Sequence, residues 1–331
     1  MSRKLLSIVA SLGALGLLVW LWSGSAKPRP VRVDGDEVPN FRESRVEGAR
    51  PLPPLEEIRF ADGEPSVSFF AIGDTGFGGE ILRANAAGME RAAEERPVGF
   101  ALLLGDNFYL EGVQTTEDPR WKEIFEDGFP GKALAVPFYA VLGNHDHRGS
   151  LDAQIAYTKQ SARWKMPARW YTFSMPLKDG ASAQFFALDT QPWKSGWAEA
   201  SEEASWLEGE LSRSRARWKI VFGHHPLLSH GSHGPTEAVA ERLGPLLERS
   251  GVDLVVSGHD HDLQLLRSKS GWLQLVSGAG SSTRDTSWGD DTLFAAASPG
   301  FAWVGLGPDE MWIEIATAAG GPRFRWKVEK R

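Results

Sequence analysis

Cysteine is absent from all 331 residues. No disulfide, thiolate metal ligand or cysteine nucleophile is available to the chain. Excess positive charge is absent too. The 36 Lys and Arg stand against 43 Asp and Glu, a net charge of −7. That sign does not suit a surface tracking a phosphate backbone, so no nucleic-acid partner is expected. There is no repeat of fixed period and no low-complexity tract. An apolar fraction of 42% with 24% charged residues fits a soluble globular body with ample core. The length suits one large domain or two small ones. Fourteen tryptophans are many for this length, and fill core or line a cleft.

One stretch lacks charge altogether. After the basic start Ser2-Arg3-Lys4, residues 5–22 run for eighteen positions without a charged side chain. As a helix this run is roughly 27 Å long at ~1.5 Å per residue, close to the ~30 Å hydrocarbon core of a bilayer. Secretory apolar regions are shorter, about 7–15 residues. Trp20 and Trp22 fall where an interfacial aromatic belt lies, while Ser23-Gly24-Ser25-Ala26 offers small residues to a signal peptidase. Residues 1–26 are therefore expected to be a signal peptide or an N-terminal membrane anchor, a buried core helix being the third reading. With Arg3 and Lys4 inside, signal and anchor alike place the rest outside the cytoplasm, as an exported, periplasmic or extracellular protein. If uncleaved, the segment makes the membrane a partner. Residues 27–65 carry six prolines before Pro65 and mixed charge. They read as an extended linker that begins to dock near 55–60.

From Ser66 apolar strand-like runs alternate with helical ones. Strands are expected at 67–72, 99–104, 138–142, 184–188, 219–222, 253–256 and 272–276, and helices at 80–95, 119–125, 153–163, 202–212 and 236–248. This alternation indicates an α/β domain, residues 66–331, with largely parallel sheet. Beyond Gly280 the pattern turns to strands at 301–305, 311–315 and 324–328, expected to be antiparallel and to extend or complete a second sheet.

Ligand-type residues follow these strands in one grammar. Ile72-Gly73-Asp74, Leu104-Gly105-Asp106, Leu142-Gly143-Asn144, Phe222-Gly223-His224 and Ser257-Gly258-His259 each join a strand end, a glycine that permits a sharp bend, and a projecting polar side chain. Tyr109 and His261 complete the set. All eight histidines lie in the last three motifs or in the loop just after His224-His225. Open α/β sheets bind ligands beyond the carboxyl ends of their strands. Carboxylates, an amide, a phenol and imidazoles gathered there are the inventory of a two-metal hydrolytic site. Taken singly, Gly-Asp after a strand is a turn or a cap; five such ends in one chain are not explained that way.

The order GDTG, GDNFY, GNHD, GHH, GHDH resembles the calcineurin-like metallophosphoesterases. Tyr109 narrows the likeness to the purple acid phosphatases, and Gly143-Asn-His-Asp-His147, His233-Gly-Pro-Thr236 and Ser277-Gly-Ala-Gly280 narrow it to their short, tartrate-resistant type. The resemblance spans roughly 66–328. It implies a four-layer α/β/β/α metallophosphoesterase sandwich with mixed sheets and antiparallel C-terminal strands. It also implies a first metal held by Asp74, Asp106, Tyr109 and His261, and a second held by Asp106, Asn144, His224 and His259, with Asp106 shared. The phenolate and carboxylates suit Fe(III), and the amide and imidazoles suit a divalent Fe, Zn or Mn. The implied reaction is acid phosphatase chemistry, in which a metal-bound hydroxide attacks a small phosphate monoester. Catalytic His145 and His233 then stabilise charge or protonate the leaving group. A phosphodiesterase acting on nucleotide-like diesters, or a binding module without turnover, are the rivals. Asp146 is expected to support a ligand by hydrogen bonding, and Asp260 and Asp262 to be solvated or supporting. The roles of His147, His225 and His230 stay open. There are departures from the mammalian members: no disulfide is possible, and the segment 190–201 is short where they carry a protease-sensitive loop. His225 stands where those members carry tyrosine.

Overall fold

The computed structural model describes residues 44–61, 63–318 and 321–330. The expected signal or anchor in 1–26 lies outside the described residues, as does the linker up to 43. Among the described residues no helix is long and apolar enough to cross a membrane. The docked portion begins earlier than 55. Strand β1 (Val46–Glu47) pairs in parallel with β12 (Thr286–Ser287).

Strand β2 (Val67–Ile72) is buried along its whole length, as a strand covered on both faces requires. It lies inside the first seven-stranded sheet. On one side follow β3 (Phe100–Leu103), β4 (Phe138–Ala140) and β5 (Trp164–Lys165), all parallel. On the other follow β14 (Gly300–Leu306), β15 (Glu310–Thr317) and β16 (Gly321–Glu329), all antiparallel. The C-terminal strands thus extend the first sheet, against β2. The second sheet has the order β13 (Thr292–Ala296), β10 (Leu263–Arg267), β11 (Leu273–Ser277), β9 (Leu254–Ser257), β8 (Trp218–Phe222), β7 (Ser182–Ala187), β6 (Tyr171–Pro176). Its centre is parallel and both edges are antiparallel.

The period of two sorts each strand's side chains between faces. Phe69 points to the other sheet and meets Phe185 edge-on at 5.3 Å. Phe70 points outward and meets Phe301 at 5.3 Å, beneath helix α1 (Gly79–Glu95), whose Leu82, Ala86 and Met89 are buried. Polar ties also join the sheets: Trp218 Nε1 donates to the Gly307 carbonyl at 2.8 Å, and Ser277 Oγ to the Ala71 carbonyl at 2.9 Å. On the outer face of the second sheet, Phe186, Val221 and Val255 join Leu207 and Leu211 of α4 (Glu199–Arg213) and Val239, Leu243 and Leu247 of α5 (Glu237–Arg249). Apolar residues four apart make one stripe on each helix. The result is the α/β/β/α sandwich.

Two expected helices differ. The segment 119–125 forms a single turn, Trp121–Glu126, closed by Asp127 N–H to the Lys122 carbonyl, five residues back. The helix expected over 153–163 is α2 (Leu151–Tyr157), capped by Ser150 Oγ. Its remainder unwinds through three-residue turns because Trp164 must reach the edge of the first sheet as a buried strand residue.

Candidate metal centre

The parallel strands deliver their loops to one edge of the sandwich. Asp74 follows β2, Asp106 follows β3 and Asn144 follows β4; His224 follows β8, and His259 and His261 follow β9. Two sheets thus contribute to one pocket, and every predicted ligand-type residue arrives there.

One group of donor atoms is formed by Asp74, Tyr109 and His261. Tyr109 Oη donates to Asp74 Oδ1 at 3.0 Å and lies 3.1 Å from His261 Nε2. Asp74 Oδ1 is 3.4 Å from His261 Nε2. A second group is formed by His224 Nε2, which is 3.1 Å from Asn144 Oδ1 and 3.2 Å from His259 Nδ1. Asp106 stands between them: its Oδ2 is 3.4 Å from His224 Nε2, and its charge acts on the Tyr109 phenol. Oxygen and nitrogen atoms of Asp74, Asp106 and His224 all lie within 4.8 Å of one another.

Outer contacts fix the imidazoles. His224 Nδ1 donates to the Leu104 carbonyl at 2.9 Å, which leaves the Nε2 lone pair facing the pocket. His261 Nδ1 is held by Ser282 Oγ. Asp146 is fully buried and accepts from Gly143 N–H, Asn107 N–H, Asn107 Nδ2 and Gln154 Nε2 at 2.8–3.2 Å. It anchors the turn that carries Asn144, and burial followed by the Asp106 charge raises it to about 6.

The charge pattern calls for a cation. Burial raises Asp106, but the charges and hydrogen bonds of His224 and His145 outweigh it and leave the carboxyl below its ordinary range. Burial lowers His224, yet Asp106 overrides it and lifts the ring to about 9. Burial and then the Asp106 and Asp74 charges push the Tyr109 phenol well up. A cation among these groups inverts that last effect, because it stabilises the phenolate and replaces the proton on His224. The donor set fits two metal ions: hard oxygens with one imidazole on one side, an amide with imidazoles on the other.

The remaining histidines sort by position. His145 Nδ1 donates to the Leu110 carbonyl at 2.6 Å, its ring meets Tyr109 edge-on at 4.4 Å, and its Nε2 is 3.9 Å from Asp106. His233 stacks on His259 at 4.4 Å, and Arg284 donates to its Nε2. Asp260 takes its backbone N–H at 2.7 Å. His225 enters the pocket, 4.6 Å from the His259 ring. His147 sits one layer out, 2.8 Å from Asp189. His230 pairs with Asp291 at 2.6 Å, away from the pocket. Neither Asp260 nor Asp262 is solvated: both are buried, Asp260 holding Ser229 and His233 and Asp262 receiving Gln264.

Other participants carry no sequence mark of their own. Lys194, on α3 (Thr190–Ser195), depresses His225 and His259 by its charge after burial and neighbouring imidazoles have done so. Thr190 touches His225, and Ser282 touches His261. The one available signal was Asp189 followed by Pro192, a capping residue and a proline in the first helical turn. The segment 190–201 is consequently helical at both ends.

A sandwich of two mixed sheets with a carboxylate-, phenol- and imidazole-lined pocket at the strand ends defines a metallophosphoesterase. The chain matches the calcineurin-like phosphoesterase model over residues 67–263 and belongs to that family. It is similar to tartrate-resistant acid phosphatase type 5 of Oryctolagus cuniculus, 35% identical over 83% of this chain and 94% of the rabbit one. Purple acid phosphatase 4 of Arabidopsis thaliana is 32% identical over 80% of this chain and 84% of its own. Among solved structures, GAP50, described as the anchor in the inner membrane complex of Plasmodium, superposes with a TM-score of 0.74 at 25% identity, covering 81% of this chain and 90% of that one.

Proposed function

We propose that the chain is an acid phosphatase that hydrolyses phosphate monoesters at a dinuclear Fe(III)–M(II) centre, M being Fe, Zn or Mn. The observation that carries this is the meeting of the Tyr109 phenol with Asp74 and His261 on one side of Asp106, and of Asn144, His224 and His259 on the other. Asp74, Asp106, Tyr109 and His261 would hold the ferric ion, and Asp106, Asn144, His224 and His259 the divalent one. The bound metals supply Lewis acidity for the phosphate and a water of lowered pKa as nucleophile. The protein positions and moves protons. His145, tied at Nδ1, keeps Nε2 toward Asp106 and stabilises charge on the phosphoryl oxygens. His233, held against His259, would protonate the leaving-group oxygen. Such acid–base assistance is worth ~10²–10⁴-fold. The catalytic unit is residues 66–331. Export rests on the uncharged run 5–22.

The test is a visible spectrum with elemental analysis of the metal-loaded protein. A tyrosinate-to-ferric band is expected, and Tyr109→Phe is expected to bleach it while most hydrolysis persists. A metal-loaded wild type without the band overturns the ferric assignment. Faster turnover of a bis-aryl phosphate than of an aryl monophosphate overturns the monoester reading.

A further inference from the structure

His225 is next to His224 in sequence, and its imidazole shares the same pocket. The ring centroids are 4.9 Å from His224 and 4.6 Å from His259, and the residue is 1% exposed. Its two nitrogens differ. Nδ1 lies 2.8 Å from Thr190 Oγ1. Nε2 is buried and has no hydrogen-bond partner among the described residues. Such a group in a native interior is rare and needs an explanation.

Thr190 decides which nitrogen carries the hydrogen. Its oxygen already accepts the backbone N–H of His225 at 3.0 Å. Its own hydroxyl proton is buried with the side chain and finds its acceptor in His225 Nδ1. A buried hydroxyl proton left unpaired is costly. The neutral ring therefore keeps its hydrogen on Nε2. A single N–H donor, without a protein acceptor, stands beside the imidazoles of the divalent-metal group.

We propose that His225 Nε2–H donates a hydrogen bond to an oxygen of the bound phosphoryl group, with Thr190 as the residue that positions it. This deepens the phosphoesterase reading and rests on it. A phosphoryl oxygen is a charged acceptor and makes the stronger hydrogen bond, so the donor favours bound phosphate over a water-filled pocket. The competing role is a third imidazole ligand to the divalent ion, since nitrogens of His224, His225 and His259 lie within 4.8 Å of one another. That role requires the opposite tautomer, with the lone pair on Nε2 and the Thr190 proton unpaired.

The experiment uses the full, metal-loaded chain and inorganic phosphate as the probe. His225→Phe keeps a ring and removes the donor. Phosphate binding is expected to weaken roughly 10- to 100-fold, the range for a hydrogen bond to a charged group, with both metals retained by elemental analysis. His225→Gln, whose amide restores an N–H near Nε2, is expected to recover most of that loss. Thr190→Val, which releases Nδ1, is expected to weaken phosphate binding by a smaller factor with metal content unchanged, and carries the test if the Phe variant does not fold. Phosphate binding unchanged in the Phe and Val variants, or loss of one metal in the Phe variant, overturns the proposal. Failure of the parent reading shows separately, as a wild type that turns over no phosphate ester.

Discussion

Three ligand-type side chains sit on backbone that side chains rarely adopt. Asp74, Asp106 and His259 have φ of 57°, 50° and 71°, the non-glycine residues with positive φ among those described. Such strain gathers at functional sites. The sequence places the bend on the preceding glycines; the structure places it on the ligands, and only Gly105 of those five glycines shares the left-handed region. The others are needed for room. A Cβ on Gly143 would meet Asp106 Oδ1 at 2.2 Å, and one on Gly258 would meet Asp74 Oδ2 at 2.4 Å. Gly143→Ala is therefore expected to displace Asp106, losing metal by elemental analysis and about 1–3 kcal/mol of stability by urea unfolding. A second prediction concerns the metal-free protein. His224 is raised to about 9 by Asp106, once the opposing burial is overcome. A raised folded-state value means that the pair adds stability fully below the ordinary histidine value of about 6.5, and loses it as pH rises through about 9. Thermal melts of metal-free wild type and His224→Asn are expected to differ at about pH 6 and to converge toward about pH 10.

At the scale of an element, the short helix α3 does more than its six residues suggest. Its cap Asp189 takes the Gln191 N–H at 3.3 Å. It also receives His147 at 2.8 Å and Arg169 at 2.9 Å, and is itself fully buried. The helix carries Thr190 to His225 and Lys194 toward the pocket. Asp189→Ala removes a cap, worth about 1 kcal/mol. It also removes the nearer carboxylate of Arg169, leaving Glu199 at 3.8 Å, so the total loss is expected to exceed the cap alone and reach about 2–3 kcal/mol by chemical denaturation. A loss no larger than the cap alone would show that Arg169 finds solvent instead. Strand β6 and helix α3 were not legible in sequence for related reasons. In β6 only Tyr171 is buried, so no apolar run marks it. The helix is too short for a 3.6-residue stripe to establish itself.

At the scale of the molecule, the pocket joins the two sheets. Asp74, Asp106 and Asn144 come from the first, His224, His259 and His261 from the second. Metals bound there cross-link the sandwich. Chelation is therefore expected to lower the calorimetric melting temperature of the whole domain, through a loss of about 2.7 kcal/mol of stability per site relative to a hundredfold excess of metal over its Kd. Local loosening at the pocket alone, with the global melt unchanged, would contradict this coupling. The antiparallel strands β14 to β16 show the limit of pattern reading at this scale. Their alternation announces strands and pairing with one another. Nothing in it says that β14 hydrogen-bonds to β2, more than two hundred residues earlier, because that pairing depends on which edge of β2 its parallel neighbour β3 leaves open.

The sequence by itself determined the ligand-type set, its placement after strands and the strand–helix alternation. These are local: each motif needs only its own strand and glycine to be recognised. It also placed Tyr109 three positions after Asp106, the residue on which the proposed ferric assignment rests. Tertiary structure alone decided the rest. It buried Asp260 and Asp262, sent His230 to Asp291 and brought His225 into the pocket. It supplied Thr190 and Ser282 as partners, because hydrogen bonds between residues 35 or 21 positions apart exist only when two loops meet. A ring nitrogen's role depends on what its other nitrogen touches, and that contact has no signature along the chain.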